Sequence, residues 1–252
     1  AIAMTIPRWF NNTNSLRIGA ASSALAVSQA AALDKRLSQL QSPRQRQLQN
    51  PEVLAALQQP DPAVLAATAE QLRQRIPDAL QLRLIAVGTD YTTTGLRFSQ
   101  IDRLNRSERG EAIHPEAFDD NGKKCFDLVL AIKDPDGKLL GHAVMVLDIQ
   151  LLQTELAQLP VATAETLLQQ QFGSTKAQAI FRTGSGTGLA QASKPAESAV
   201  PHWKLVVVPG PQLLADAAML RFLGREVARK LEKSSRLSAQ DRLYPAAARL
   251  AA

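Results

Sequence analysis

The stretch FDLVLAIKDPDGKLLGHAVMVLDIQLLQTEL, Phe126 to Leu156, decides the fold. Two runs rich in Val, Ile and Leu flank Asp134-Pro135-Asp136-Gly137, where proline sets φ at one turn position and glycine accepts the left-handed one. This is a β-hairpin, and the residues after it, from Asp148 to about Gln158, form a helix. If Lys133 faces Lys138 across the turn, Asp127 faces Val144 and Val129 faces His142. One side of the ribbon then carries Phe126, Leu128, Leu130, Ile132, Leu139, Gly141, Ala143 and Met145, a wholly apolar surface that should pack on a helix. The other side carries Asp127, Val129, Ala131, Leu140, His142, Val144 and Val146. Two ionisable groups on an otherwise apolar surface suit a partly enclosed cavity, in which apolar walls bury a small ligand and a few polar groups orient it.

Upstream the period is helical. Leu25, Leu33, Leu37 and Leu40 recur among many alanines and predict one long helix from Leu16 to Leu40, interrupted by SPRQRQ. Pro51 restarts a helix that continues to Pro60, and another runs from Pro62 to Arg75. ALQLRLIAVG then alternates as a strand with Leu80, Leu82 and Leu84 on one side. TDYTTTG is a polar loop, and FSQIDRLNRSERG a short helix with Ser99 as its cap and Gly110 as its stop. EAIHPEAFDDNGKK is expected to be a loop leading into the hairpin. Downstream, ATAETLLQQQF predicts a helix and AQAIFR, GLAQAS and HWKLVVVPG three short strands, so the helix-then-strands theme repeats in abbreviated form. The expected organisation is a helical scaffold over 1–78, a first antiparallel module over 79–160, a second and smaller one over 161–212, and a basic helical tail or linker over 213–252.

The composition bounds the function. With 45% apolar and 21% charged residues the 252-residue chain reads as globular, and with 4% aromatics its core must rest on aliphatic side chains. The net charge of +6 is concentrated between Arg221 and Arg242, where seven basic residues stand against three acidic ones. A solvated helix face or a helix beside a membrane accounts for this, and no nucleic-acid partner is expected because no binding motif accompanies it. The single cysteine, Cys125, excludes an internal disulfide and a Cys-rich zinc site. No run approaches the ~18 apolar residues of a membrane span. AIAMTIPRWF reads as the remnant of something longer, so a membrane anchor is expected in flanking segments outside this stretch.

Motifs for chemistry are sparse. GSGTG, Gly184 to Gly188, lacks the third glycine and the following helix of a dinucleotide fingerprint and reads as a hairpin turn. DPDG lacks the further oxygen ligands and distal glutamate of a calcium loop. His114, His142 and His202 are widely spaced, with no HExxH and no nucleophile context, so no catalytic residue, metal site or cofactor is assigned. His114 and His202 are expected in solvated or capping roles. His142 belongs with Asp127 on the mixed face of the hairpin. Tyr91, Arg97 and Arg103 lie on the loop and helix that would cover that face, where an arginine can clamp a carboxylate or phosphate. The ligand-binding candidates are therefore Asp127, His142, Tyr91, Arg97 and Arg103.

A long N-terminal helix, a strand, the short helix SQIDRLNRSERGE, a loop, the hairpin with DPDGKLLGHAVMVLDIQLL and a final HWKLVVVPGP resemble the extracytoplasmic Cache (PAS-like) sensor domains of bacterial membrane proteins, across residues 20–212. More narrowly, they are similar to the Cache-like region that precedes the catalytic part of long, membrane-anchored bacterial phosphomannomutase/phosphoglucomutase. The resemblance implies an α+β fold, long N-terminal helices on antiparallel PAS/Cache-like sheets, in one or two such modules. It also implies an extracytoplasmic, periplasmic location on a membrane-anchored protein, a small-molecule ligand of unknown identity and a non-catalytic signalling role. The mutase's phosphoserine loop and metal loop are absent, so no phosphohexomutase activity is expected of this chain itself. Homodimerisation or spacing through the Ala-rich helices is a further role that they would suit.

Overall fold

The computed structural model describes residues 8–157, 164–186 and 193–211, with side chains from residue 18 onward. The first helix, α1 (Arg8–Gln47), is about 60 Å long at ~1.5 Å per residue. Ala26, Ala30, Leu33, Leu37 and Leu40 form its buried stripe, at the spacing that keeps one helical face on a core. The expected break at SPRQRQ does not occur. Pro43 lies inside the helix on its exposed side, and the carbonyl that its missing N–H would have met belongs to exposed Gln39, where water can reach it. Two shorter helices follow, α2 (Pro51–Gln58) and α3 (Pro62–Arg75), each with proline in its first turn. Asn50 caps the first by accepting from the Glu52 amide, and Asp61 caps the second by accepting from Ala63 and Val64.

The strands β1 (Ala79–Ala86), β2 (Glu116–Asp120), β3 (Lys123–Lys133) and β4 (Leu139–Asp148) form one antiparallel sheet in the order β1-β4-β3-β2. Helix α4 (Phe98–Glu108) crosses one face of this sheet, and α5 (Gln150–Leu156) follows β4. A second antiparallel sheet, in the order β6-β5-β8-β7, is built from β5 (Ala164–Gln170), β6 (Gln178–Thr183), β7 (Ala196–Glu197) and β8 (Trp203–Pro209). Both sheets turn an apolar face to the same helical layer. A single cluster of buried side chains runs from Leu33 and Leu37 of α1 through Leu84, Phe126 and Met145 of the first sheet to Leu168, Trp203 and Leu205 of the second.

Several local expectations need correction. ATAETLLQQQF is not a helix: β5 occupies its centre and pairs with β6 on one side and β8 on the other, so ladder bonds and burial override the helical leanings of Ala, Glu, Leu and Gln. The loop before the hairpin contains β2, joined to β3 by Asn121 and Gly122 at φ 53° and 84°, the two left-handed positions of a type I′ turn. A register shift between Ala79 and Gln81 leaves Leu80 exposed, while Leu82, Leu84 and Ala86 face the core. Ser99 is inside α4, whose N-cap is Arg97, whereas Gly110 ends the helix as expected at φ 77°. GLAQAS, the end of GSGTG and the basic tail lie outside the described residues, apart from Ser193.

The hairpin forms with a register two residues from the expected one, since Asp127 faces Val146, Val129 faces Val144 and Ala131 faces His142. An even shift leaves both faces as read from the sequence. The irregularity between Ile132 and Lys133 exchanges only the turn-proximal pair, so Leu140 rather than Leu139 packs against the main core. Gly141 is required where β4 passes under β1 and α2, because a Cβ there would lie 2.3 Å from the Ile85 carbonyl oxygen and 2.8 Å from a Leu57 methyl.

Candidate functional site

Helix α4 lies across the mixed face of the first sheet with its polarity inverted. It exposes Phe98 and buries Gln100, Arg103 and Leu104. Arg97, Gln100, Arg103 and Ser107 follow one another at about one turn, so one stripe of the helix carries hydrogen-bonding groups to the strands beneath. Gln100 Oε1 accepts from the Arg97 amide at 2.9 Å and fixes the start of the helix.

The stripe converges on Asp127, which is fully buried at the centre of β3. Arg103 pairs with its carboxylate, Nη2 donating to Oδ2 at 2.8 Å, while Nη1 lies 2.6 Å from Oδ1 as a charge contact without hydrogen-bond geometry. Gln100 Nε2 donates to Oδ2 at 2.8 Å, and Arg97 Nη2 donates to the same oxygen from the solvent side. Arg103 is itself tied down, its Nε donating to the Ser99 carbonyl and its Nη1 to the His114 carbonyl, both at 3.2 Å. The Arg97 guanidinium stacks 3.3 Å above the centre of the Phe118 ring. Donors of this kind offset the hydration that a buried carboxylate gives up.

Asp127, Arg97 and Arg103 are thus brought together by the fold. His142 and Tyr91 lie farther along, Tyr91 in a smaller apolar cluster with Ile85, Leu104, Val129 and Val144, and His142 on β4 two residues before Val144. The Tyr91 hydroxyl donates to Glu108 Oε1, and burial first, then the carboxylate, raises its pKa above the usual phenol value. His142 is fully buried, with Nε2 at 2.9 Å from Ser107 Oγ and Nδ1 without a hydrogen-bond partner among the described residues. The proton is placed on Nε2, since a bare buried acceptor is tolerated more readily than a bare buried donor. The sequence did not single out Gln100, Ser107, Glu108 or Phe118. The recurrence of hydrogen-bonding residues at 97, 100, 103 and 107 is the signal that would have found the helical members.

His114 and His202 do not join the site. His202 donates from Nε2 to the Pro115 carbonyl at 2.7 Å and stacks on Phe172, so it ties the second sheet to the first. Burial pushes all three imidazoles below their ordinary 6.5, opposed at His142 by the Glu108 carboxylate. A depressed histidine pKa contributes stability that is complete above the ordinary value and is lost as pH falls, because the unfolded chain takes up the proton first. Unfolding free energy is therefore expected to drop between pH 7 and 5, by up to about 1.4 kcal/mol per pH unit for each histidine involved. His142→Gln should flatten that slope in urea titrations, and an unchanged slope would assign the effect to the other two.

Beside Asp127, between Arg97 and the open side of the sheet, lies a cavity of about 180 Å³. Arg83, Arg97, Gln81, Gln100, Phe118 and Asp120 supply its polar and aromatic lining, with Val144 and Val146 as its floor. Arg83 Nη1 donates to the Thr94 carbonyl and Arg97 Nη2 to Asp127, so each guanidinium keeps donors in reserve. Among the described residues no cluster of His, Cys, Asp and Glu has the arrangement of a metal site, and no helix is long and apolar enough to cross a membrane.

No family model and no curated protein matches the chain by sequence. Among solved structures it is similar to the ligand-binding domain of the Campylobacter jejuni chemoreceptor Tlp3 in complex with L-valine, at 13% identity and a TM-score of 0.51, over 83% of this chain and 99% of that one. The ligand-binding domain of the Pseudomonas aeruginosa amino-acid chemoreceptor PctC, in complex with GABA, matches at 16% identity and a TM-score of 0.48, over 77% of this chain and 99% of that one. The periplasmic domain of Vibrio cholerae LuxQ matches at 14% identity and a TM-score of 0.46, over 77% and 99%. The Tlp3 likeness shows a shared α+β fold, which in this chain is a long N-terminal helix packed on two antiparallel sheets.

Proposed function

We propose that the chain is an extracytoplasmic sensor module, non-catalytic in itself, that binds a small anion in the cavity bounded by Arg83, Arg97 and Phe118. The observation that carries this reading is a pair of arginines, each with unused donors, at the mouth of an apolar-floored hollow whose only lining carboxylate among the described residues is Asp120. The charged lining therefore sums to a positive site, which favours a carboxylate or another small oxyanion. About 180 Å³ is below the ~300–1,000 Å³ typical of drug-sized ligands, so the ligand has few heavy atoms. The solved ligand complexes of similar fold hold L-valine and GABA, which are of that size.

Signalling requires that the ligand bind two conformations unequally. Arg97 supplies a route, because it stands at the N-cap of α4 and touches both the cavity and Asp127. An anion that draws its guanidinium outward alters the start of that helix. A panel of small carboxylates and amino acids, screened by thermal shift and calorimetry, tests the reading. A true ligand at about 100-fold above its Kd should add roughly 2.7 kcal/mol of stability, and Arg97→Gln or Arg83→Gln should remove the effect. A panel without a hit, or a hit indifferent to both substitutions, would overturn the anion site. Attachment to a phosphohexomutase rests on the sequence resemblance and membrane anchoring on the resemblance and the apolar AIAMTIPRWF, and the coding sequence on either side of this stretch decides both; homodimerisation rests on the Ala-rich helices, and sedimentation with and without residues 1–60 decides it.

A further inference from the structure

A larger opening of about 620 Å³ lies elsewhere on the first sheet, and the Arg97 site does not use it. It exists because β2 is short. β2 pairs with β3 only between Lys123 and Asp127, so from Leu128 to Lys133 the edge of β3 that faces away from β4 has no strand beside it among the described residues. Gln45 Nε2 donates to the Ala131 carbonyl at 2.8 Å, which shows that Ala131 directs its backbone groups away from β4. By the two-residue repeat of an antiparallel ladder, Val129 does the same. The N–H and C=O of Val129 and the N–H of Ala131 therefore face the opening.

Apart from that Gln45 bond, no hydrogen bond joins the walls to that edge among the described residues. On one side stands the turn after α4, Gly110 to Ile113, held by its own bonds from the Gly110 amide to the Ser107 carbonyl at 2.9 Å and from the Glu111 amide to the Arg106 carbonyl at 3.0 Å. On the other stand Gln45 and Gln49 of α1. The carboxylates at the rim are already engaged, Glu111 by Arg106 and Arg109 and Glu108 by Tyr91. Ala112, Ile113 and Leu139 supply apolar contact. Apart from Lys133 at the turn end, the opening thus asks for a partner with main-chain donors and acceptors and small or apolar side chains. Walled on two sides, it admits a single strand; a sheet edge of a second copy, carrying its own neighbours, would meet both walls.

We propose that this opening binds a short extended peptide, whose backbone adds as a strand along β3 from Val129 to Lys133 and displaces the Gln45 amide from the Ala131 carbonyl. That span is about 13 Å at ~3.3 Å per residue, enough for about four residues. Since Gln45 belongs to α1, occupancy is reported directly to the helix that carries both sheets. The test is calorimetry and amide NMR on the full chain with tetra-alanine, with tetra-alanine N-methylated at alternate residues, and with free alanine. Tetra-alanine should bind saturably and shift the Val129 and Ala131 amides, and N-methylation should weaken it about tenfold or more. Gln45→Ala should tighten binding several-fold by freeing the carbonyl, and Ile113→Trp should abolish it by filling the gap. Equal binding of the methylated peptide or of free alanine, an affinity unmoved by Gln45→Ala, or no binding at all would overturn the proposal.

Discussion

Asp127→Ala is expected to lower the unfolding free energy by about 3–5 kcal/mol, measured by urea denaturation at neutral pH. The loss comes less from the bonds removed than from what remains. Arg103, with a side chain 6% exposed, would keep its charge with no carboxylate closer than Glu116, whose Oε2 is 3.8 Å from Nε. Arg97, 35% exposed, can turn to solvent and contributes little of the penalty. The double substitution Asp127→Leu with Arg103→Met should therefore recover much of the loss, because a packed apolar pair replaces a desolvated ionic one at small net cost. A single-mutant cost under about 1 kcal/mol would mean that water reaches Asp127 and Arg103 and that their pairing is a solvated one.

Trp203→Ala is expected to cost about as much, ~3–5 kcal/mol, through a different mechanism. Trp203 is fully buried on β8 and meets Phe126 of β3 edge to face, with centroids 6.4 Å apart at 73°. Its indole N–H donates to Gln170 Oε1 at 2.8 Å. The Gln170 amide in turn pairs with both backbone groups of Ala117 at 2.9 Å, as a neighbouring strand would. One side chain therefore closes the outer edge of β2, and the indole holds it in place. Beyond the loss of stability, hydrogen exchange at the Ala117 amide should accelerate well ahead of the β3 and β4 amides. Equal acceleration everywhere would show that Trp203 supports only the global fold.

The parts of this architecture that were legible in the sequence are those in which local chemistry and burial agree. The hairpin declared itself because Asp-Pro-Asp-Gly and the flanking β-branched runs point the same way, and its faces survived a two-residue register error because only odd errors exchange them. The charged members of the site were legible for the same reason, since Asp127 falls on the mixed face and Arg97 and Arg103 on the covering helix. Illegible elements had tertiary causes. Residues 164–170 have no β-branched run and take their strand form from partners on both sides. β2 was hidden by its acidic, mixed composition, although Asn121-Gly122 carries the turn signature that would have revealed it. In α4 the ordinary rule fails at two positions: Phe98 is exposed and Arg103 buried, because the sheet beneath supplies the Asp127 carboxylate beside the apolar contacts that Leu104 makes.

The length of α1 has a mechanical consequence. Asp34 accepts from the Ala199 amide beside the second sheet, while Arg44 pairs with Asp78 next to β1 and Gln45 reaches β3. Ten or so residues of continuous helix, roughly 16 Å of axis at ~1.5 Å each, separate those anchor points. A continuous hydrogen-bonded helix holds both its length and its phase, so the two sheets cannot drift apart along the shaft. Torque applied at one set of anchors must instead arrive at the other as rotation.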